Sequence, residues 1–301
     1  LASQSFDDFY ISALYKDETI FLEEMTLTDG EKTAFQIMGR FPLFNDSTKV
    51  RFVDLQSNFK NIELGFFTQF IPKWEPYLFG IFTGVFDISG TTKETMMSID
   101  ASIENTIFRN IPLGLVKASG LYNSKKLVLN DFSSDWNGNY IKGSASLPID
   151  FNISSPNINK WYPKANISIK TDGKFKSLVF LSENIAQTDS ITGDISITLN
   201  VDGPIEKLLR NGNINIENGK IHTILIDEPV RNIFASAELE QNKMTINSFV
   251  GSLFDSNTKV QPDSNLYIHG MIDFTKFFEP RYNIKALGKD IYFRSLDGDI
   301  E

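Results

Sequence analysis

Apolar and polar residues alternate along most of this chain with a period of two. In GDISITLNVDG, Ile195, Ile197, Leu199 and Val201 fall on one side, and Asp194, Ser196, Thr198 and Asn200 on the other. In NLYIHGMIDF, Leu266, Ile268, Ile272 and Phe274 alternate with Asn265, Tyr267, His269 and Asp273. GNINIENGKIH (212–222) spaces Ile214 and Ile216 in the same way, and KANISIKTDG, KKLVLNDF and KMTINSF follow suit. That period belongs to strands with one apolar face. Turn-forming pairs (NG, DG, SG, NS, DS) separate the runs.

Helical periodicity is scarce. Asn61–Leu78 spaces Phe66, Phe67, Phe70, Ile71 and Trp74 by three and four, but Pro72 interrupts it, which predicts one short or broken helix, read as packed at the end of the sheet in preference to a plug, gate or membrane-facing element. PIEKLLR (204–210), with Pro at the favoured first position, and EPVRNIFA around Pro229 are two further short helix candidates.

The strand pattern repeats. Gly80 and Gly90 bracket IFTGVFDIS as Gly193 and Gly203 bracket DISITLNVD, a shift of 113 residues, and the same shift carries Ile103-Glu104-Asn105 onto Ile216-Glu217-Asn218. Further on, SKKLVLNDF matches QNKMTINSF at a shift of 117, and YIKGSASL matches YIHGMIDF at 127. Near the start, LYKDETIFLEEM resembles LYNSKKLVLNDF at a shift of 107, and FQIMGRFPL resembles NYIKGSASL at 104. The chain thus divides into 1–79 (the end of one repeat plus the Phe-rich segment), 80–192 and 193–301, all parts of one continuous groove.

About 18 to 20 strands of ordinary length fit this pattern. Helices are too few to cover their oily sides, so the sheet must curl on its own apolar face. The expected fold is all-β: an elongated, curled antiparallel sheet, or β-groove, of repeated units with an apolar concave interior and few short helices. Strand glycines Gly39, Gly143 and Gly270 fit bends or bulges in such a sheet.

Composition narrows the function. Apolar residues make up 41% of 301 residues, with 26 Phe, and the net charge is −9. That balance opposes nucleic-acid binding and docking on anionic headgroups, both of which need clustered Lys and Arg. With no Cys there is no disulfide framework or thiol chemistry. No apolar run is long enough for a membrane helix. The carboxylate pairs Asp7-Asp8, Glu23-Glu24 and Asp297 with Asp299 read as solvated surface charge rather than as an acid/base pair. His222 and His269 lie on strand pattern without a ligand cluster, and His269 should point outward. Nucleophile elbows, phosphate loops and the calcium-loop pattern are missing; Asp255–Asn265 reads as a loop. No catalytic residue, metal or cofactor is expected, and the chain reads as non-enzymatic.

The series ISGTTKE, SIENTIFRNIPLG, LYNSKKLVLNDF, YIKGSASLPIDF, and its second copy through GNINIENGKIH, NIFASAELEQNKMTINSFVG and LYIHGMIDF, resembles the TamB family, within a wider group of AsmA-like proteins. The resemblance runs from about Leu14 to the end, on degenerate strand-and-glycine motifs. It implies a curved β-sheet (a β-taco) in the periplasm of a diderm bacterium, moving phospholipid from inner toward outer membrane. It also implies a role in outer-membrane protein assembly or secretion with a BamA-like (Omp85) partner, and an inner-membrane anchor that this chain lacks, so a fragment of a longer protein is expected. Phe86, Leu127, Leu129, Ile195, Ile197, Leu199, Val201, Ile214, Ile216, Leu266 and Ile268 are the residues expected to line the groove against acyl chains. The rival expectation is a structural or adhesive β-repeat with a dry core; an outer-membrane barrel ranks last, since the aromatic residues form no girdles.

Overall fold

The computed structural model describes residues 6–30, 32–43, 50–68, 78–108, 111–149, 165–179, 188–223, 226–254, 264–275 and 280–291. Among them are sixteen strands: β1 (Asp8–Lys16), β2 (Thr19–Asp29), β3 (Lys32–Pro42), β4 (Phe52–Glu63), β5 (Leu78–Thr91), β6 (Thr95–Phe108), β7 (Ile111–Asn123), β8 (Lys126–Trp136), β9 (Asn139–Leu147), β10 (Asn166–Ser177), β11 (Thr188–Pro204), β12 (Leu209–Thr223), β13 (Ile226–Glu240), β14 (Lys243–Ser252), β15 (Leu266–Asp273) and β16 (Arg281–Gly288). Each strand neighbours the next in sequence in one antiparallel, unclosed sheet, with β1 and β16 as its edges. The all-β class expected from the two-residue period is therefore the observed one.

By contacts the chain forms two compact units. One comprises Leu1–Trp136, Lys142–Ser168 and Pro204–Glu206; the other comprises Asn137–Ile141, Ile169–Gly203 and Lys207–Glu301. Unit 1 carries β1–β8, and unit 2 carries β10–β16.

The repeat is visible in the backbone. The 113-residue shift carries β5 onto β11 and β6 onto β12, and three positions keep the same unusual φ: Gly80 and Gly193 at 150° and 142°, Gly90 and Gly203 at 104° and 106°, Asn105 and Asn218 at 52° each. Each Asn sits at a bulge, where the ladder slips between Ile103 and Thr106 or between Ile216 and Gly219. Asn tolerates the left-handed conformation that such a bulge needs. The facing glycine has to accept the displaced backbone: a Cβ at Gly80 would lie 2.9 Å from the Glu104 carbonyl oxygen, and one at Gly193 3.1 Å from that of Glu217. The hairpin turns follow the 107- and 117-residue shifts. Asp17-Glu18, Ser124-Lys125 and Gln241 all have positive φ, joining β1 to β2, β7 to β8 and β13 to β14. Six strands therefore make one repeat, with β1, β7 and β13 equivalent. Gly39 and Gly270 have φ of 126° and 148°, and Gly143 lies in β9.

Two helix expectations are corrected and one is narrowed. EPVRNIFA belongs to β13. Its buried Val230 and Ile233 are three apart, as on a helix, because a bulge with Asn232 at φ 51° brings both to one face. PIEKLLR gives only a 3-10 turn, Ile205–Lys207, before β12 begins at Leu209. In the Phe-rich segment Asn61–Glu63 ends β4, α1 (Leu64–Thr68) is one five-residue turn, and β5 starts at Leu78. Phe66 packs edge-on against Phe6 at 5.3 Å. Phe70, Ile71, Pro72 and Trp74 lie outside the described residues, as do Asp297, Asp299 and most of the Asp255–Asn265 loop.

Candidate functional site: an apolar sheet face in each unit

Residues directly opposite one another in an antiparallel pair project to the same side, so the register defines what each face carries. In unit 1, Phe86 of β5 stands opposite Ser57 of β4 and Ile99 of β6. Ile99 faces Gly120 of β7, which faces Leu129 of β8, and Tyr122 faces Leu127 one step along. The expected lining residues Phe86, Leu127 and Leu129 thus share a face. On the other side of Phe86, β4 contributes Phe59, which stands opposite Phe35 of β3. The face continues to β1 through Ile37, Met25 and Ile11.

Four phenylalanines dominate this face. Phe35 and Phe59 lie 4.7 Å apart between ring centroids, Phe59 lies 5.7 Å from both Phe82 and Phe86, and Phe82 and Phe86 stack at 6.0 Å. Sequence reasoning named only Phe86 of the four. The repeat register offered one more, because the 113-residue shift equates Phe82 with Ile195, which was named.

In unit 2 the face is aliphatic. Ile195 stands opposite Ile216, Ile197 opposite Ile214, and Leu199 opposite Gly212. Val201 faces Arg210, whose guanidinium donates to Asn242 Oδ1 at 2.5 Å, so the apolar run gives way to a cation at that end. Ile214 faces Ala237, Ala237 faces Ile246, and Ile246 faces Gly270 of β15. Leu266 and Ile268, four and two residues before Gly270, therefore lie on the same side. All eleven expected lining residues thus fall on the apolar face of their own unit.

Exposure divides these faces into sealed and open parts. Ile195 is only 2% exposed and packs with Phe175 and Leu178, with Ile197, Ile214 and Ile216 around them. Ile233 (0%) and Leu253 (1%) pack with Val230 and Leu266, with Ile216 and Ile268 alongside. Phe175, Val230 and Ile233 went unnamed in the sequence reading, the last two because of the bulge at Asn232. Phe86, Leu129, Ile197, Leu199, Val201, Ile214, Ile216 and Ile268 stay half-buried.

The opposite faces are wet and carry most of the polar side chains, although Tyr10, Leu14, Phe52 and Leu121 in unit 1 and Tyr267 and Leu287 in unit 2 also project there, exposed. Ser98 Oγ donates to Asp87 at 3.2 Å, and Asn213 donates to Thr198 at 3.0 Å. Ser12 donates to Glu23, and Gln36 to Glu24, so these carboxylates accept cross-strand hydrogen bonds. Asp7 accepts from the Gly30 amide. His269 is exposed on this side, and His222 Nδ1 lies 3.0 Å from Asp189. Lys176 pairs with Asp194, whose carboxyl is held below its ordinary value by the hydrogen bond from Lys176 and then by one from Asn218. A cavity of about 470 Å³ lined by Asp29, Lys32, Thr33, Ala34, Lys60 and Asn61 contains none of the expected lining residues.

Among the described residues, no group of three or more His, Asp and Glu side chains is arranged to hold a metal ion, and no helix is long and apolar enough to cross a membrane. No protein-family model, curated protein or solved structure matches this chain.

Proposed function

We propose that this chain is a TamB-like, non-enzymatic segment that shelters phospholipid acyl chains against its apolar sheet faces, in the periplasm, for transport between inner and outer membranes. The observation that carries this reading is a face that stays apolar across β1–β8 in unit 1, and again across β11–β16 in unit 2, while many of its side chains remain half-exposed. A methylene removed from water gains about 0.8 kcal/mol, and a surface touching one side of an acyl chain recovers roughly half of that. A chain of a dozen or more methylenes is then held with useful affinity without any single decisive contact. Headgroups would stay in water, so the acidic balance of the protein is no obstacle. Roles with a BamA-like outer-membrane partner and attachment through a membrane anchor belong to the same proposal and rest on the family resemblance alone.

The test is native mass spectrometry of purified protein, paired with organic-solvent extraction. Wild type should carry phospholipid, and the combined variant Phe86→Asp, Ile197→Asp, Ile214→Asp should lose it while circular dichroism still reports strand. A folded triple variant with an unchanged lipid load sinks the reading. A second reading, a structural β-repeat with a dry core, draws on the sealed clusters around Ile195 and Ile233; it expects no extractable lipid from wild type.

A further inference from the structure

The repeat phase indicates what kind of strand the open edge at β1 accepts. Among the described residues β1 is an edge strand, and it is exposed almost throughout: Phe9 at 57%, Ile11 at 52% and Tyr15 at 59% on the apolar face with Ala13, and Tyr10 and Leu14 on the other face. Unpaired edge amides and carbonyls beside apolar side chains form a template for strand addition.

The molecule displays twice what covers this edge. β1 corresponds to β7 and β13 through the positive-φ turns that follow each of them. Neither β7 nor β13 is an edge: β6 pairs with the first and β12 with the second. β6 and β12 are one kind of strand. Both place small or aliphatic residues on every second position, Ile99, Ala101 and Ile103 in one and Gly212, Ile214 and Ile216 in the other. Both then run into Glu-Asn, with the Asn in the left-handed region at a bulge.

We propose that the free edge of β1 is a docking edge for an extended strand of this β6/β12 kind, added antiparallel with its apolar positions beside Phe9, Ile11, Ala13 and Tyr15. A second copy of the chain is the poorer occupant. Counting six strands per repeat, β16 corresponds to β10, so copy-to-copy stacking would set a β10-type strand against a β7-type strand, a pairing found nowhere in this sheet. The β16 edge differs as well. It presents Arg281 and Lys285, and its phase calls for a β5/β11-type neighbour instead. This inference concerns main-chain pairing and is independent of whether the apolar faces carry lipid.

The experiment is amide hydrogen exchange of the intact protein with a synthetic peptide of its own β12 sequence, Leu209–Thr223. Exchange across Asp8–Lys16 should slow at least about tenfold, with no change at Arg281–Gly288. The same peptide carrying Asn213→Pro and Asn215→Pro, and a peptide of β14 (Lys243–Ser252), should leave β1 unprotected. Absence of protection at β1, or equal protection at both edges, overturns the proposal. Faster exchange in β11–β13, marking displacement of the resident strand, overturns it too, as does self-association that protects β1 without peptide.

Discussion

Gly84 and Ala101 face one another in unit 1; Ile197 and Ile214 face one another at the same place in the repeat in unit 2. The two sites are filled in opposite ways. In unit 1 the ring of Phe82 leans over Gly84, with Phe82 and Phe86 stacked beside it. In unit 2 the same two positions are Ile195 and Leu199, and branched side chains fill the space directly. Even the glycine has moved: Ile99 of unit 1 corresponds to Gly212 of unit 2. The backbone devices, by contrast, have not moved at all. Gly80 and Gly193, Gly90 and Gly203, and Asn105 and Asn218 keep both residue type and φ. The lesson is a division of labour. The bulge and its facing glycine must be specific, because a Cβ would meet main chain there. The lining has only to supply apolar volume, so it can drift from aromatic to aliphatic.

The comparison can be broken first at the sealed end of unit 2. Ile233→Ala, at a fully buried site, should cost about 3 kcal/mol by denaturant unfolding, whereas Phe86→Ala on the half-exposed face of unit 1 should cost roughly half as much. Equal losses would mean that the two faces are sealed alike.

Next come the backbone positions. Gly80→Ala and Gly193→Ala should each destabilise by about 2 kcal/mol, because the added Cβ meets strain and a facing carbonyl together. Gly84→Ala should cost less, about 1 kcal/mol, because Gly84 has no positive φ and the nearest atom to its Cβ, at 2.9 Å, is the movable end of the Phe82 ring, with the Ala101 Cβ at 3.1 Å and the Asp100 carbonyl oxygen at 3.2 Å. If all three cost the same, the distinction between specific backbone and permissive lining fails.

A smaller effect is expected from exchanging the linings. Phe82→Ile, Gly84→Ile and Ala101→Ile together install the aliphatic arrangement of unit 2 in unit 1. Stability should remain within about 1.5 kcal/mol of wild type, and the triple variant should be more stable than Gly84→Ile alone, which leaves the ring in place. Thermal melts of wild type, the triple variant and Gly84→Ile decide this.

The smallest effect is electrostatic. Asp194 is exposed, and its folded carboxyl is held below the ordinary aspartate value, chiefly by the hydrogen bond from Lys176. A depressed folded pKa stabilises above the unfolded value, and the contribution is lost as pH falls through the folded one. Lys176→Met should therefore lower Tm slightly at neutral pH and flatten its decline below about pH 4, with the difference shrinking in high salt. Asp273, held low by the Thr275 hydroxyl and amide, should keep its own acid limb in both proteins.

Much of this was legible from residue order. A two-residue apolar period with few helical stretches compels an all-β fold, because each strand carries its face assignment in its own sequence. The 113-residue register located Gly80, Gly193, Asn105 and Asn218 before any coordinates, because these positions are fixed by local backbone conformation. Tertiary structure alone decided which strands lie side by side, in what register, and where the ladder slips. Those depend on hydrogen bonds between residues far apart in sequence, so Phe35 and Phe59 could not be seen to gather around Phe82 and Phe86. A bulge also hides in a sequence: the three-residue spacing of Val230 and Ile233 imitates a helix until the left-handed Asn232 between them turns both to one side. The chain itself wrote the alternation, and the pairing of distant strands determined which apolar residues became sealed and which stayed open.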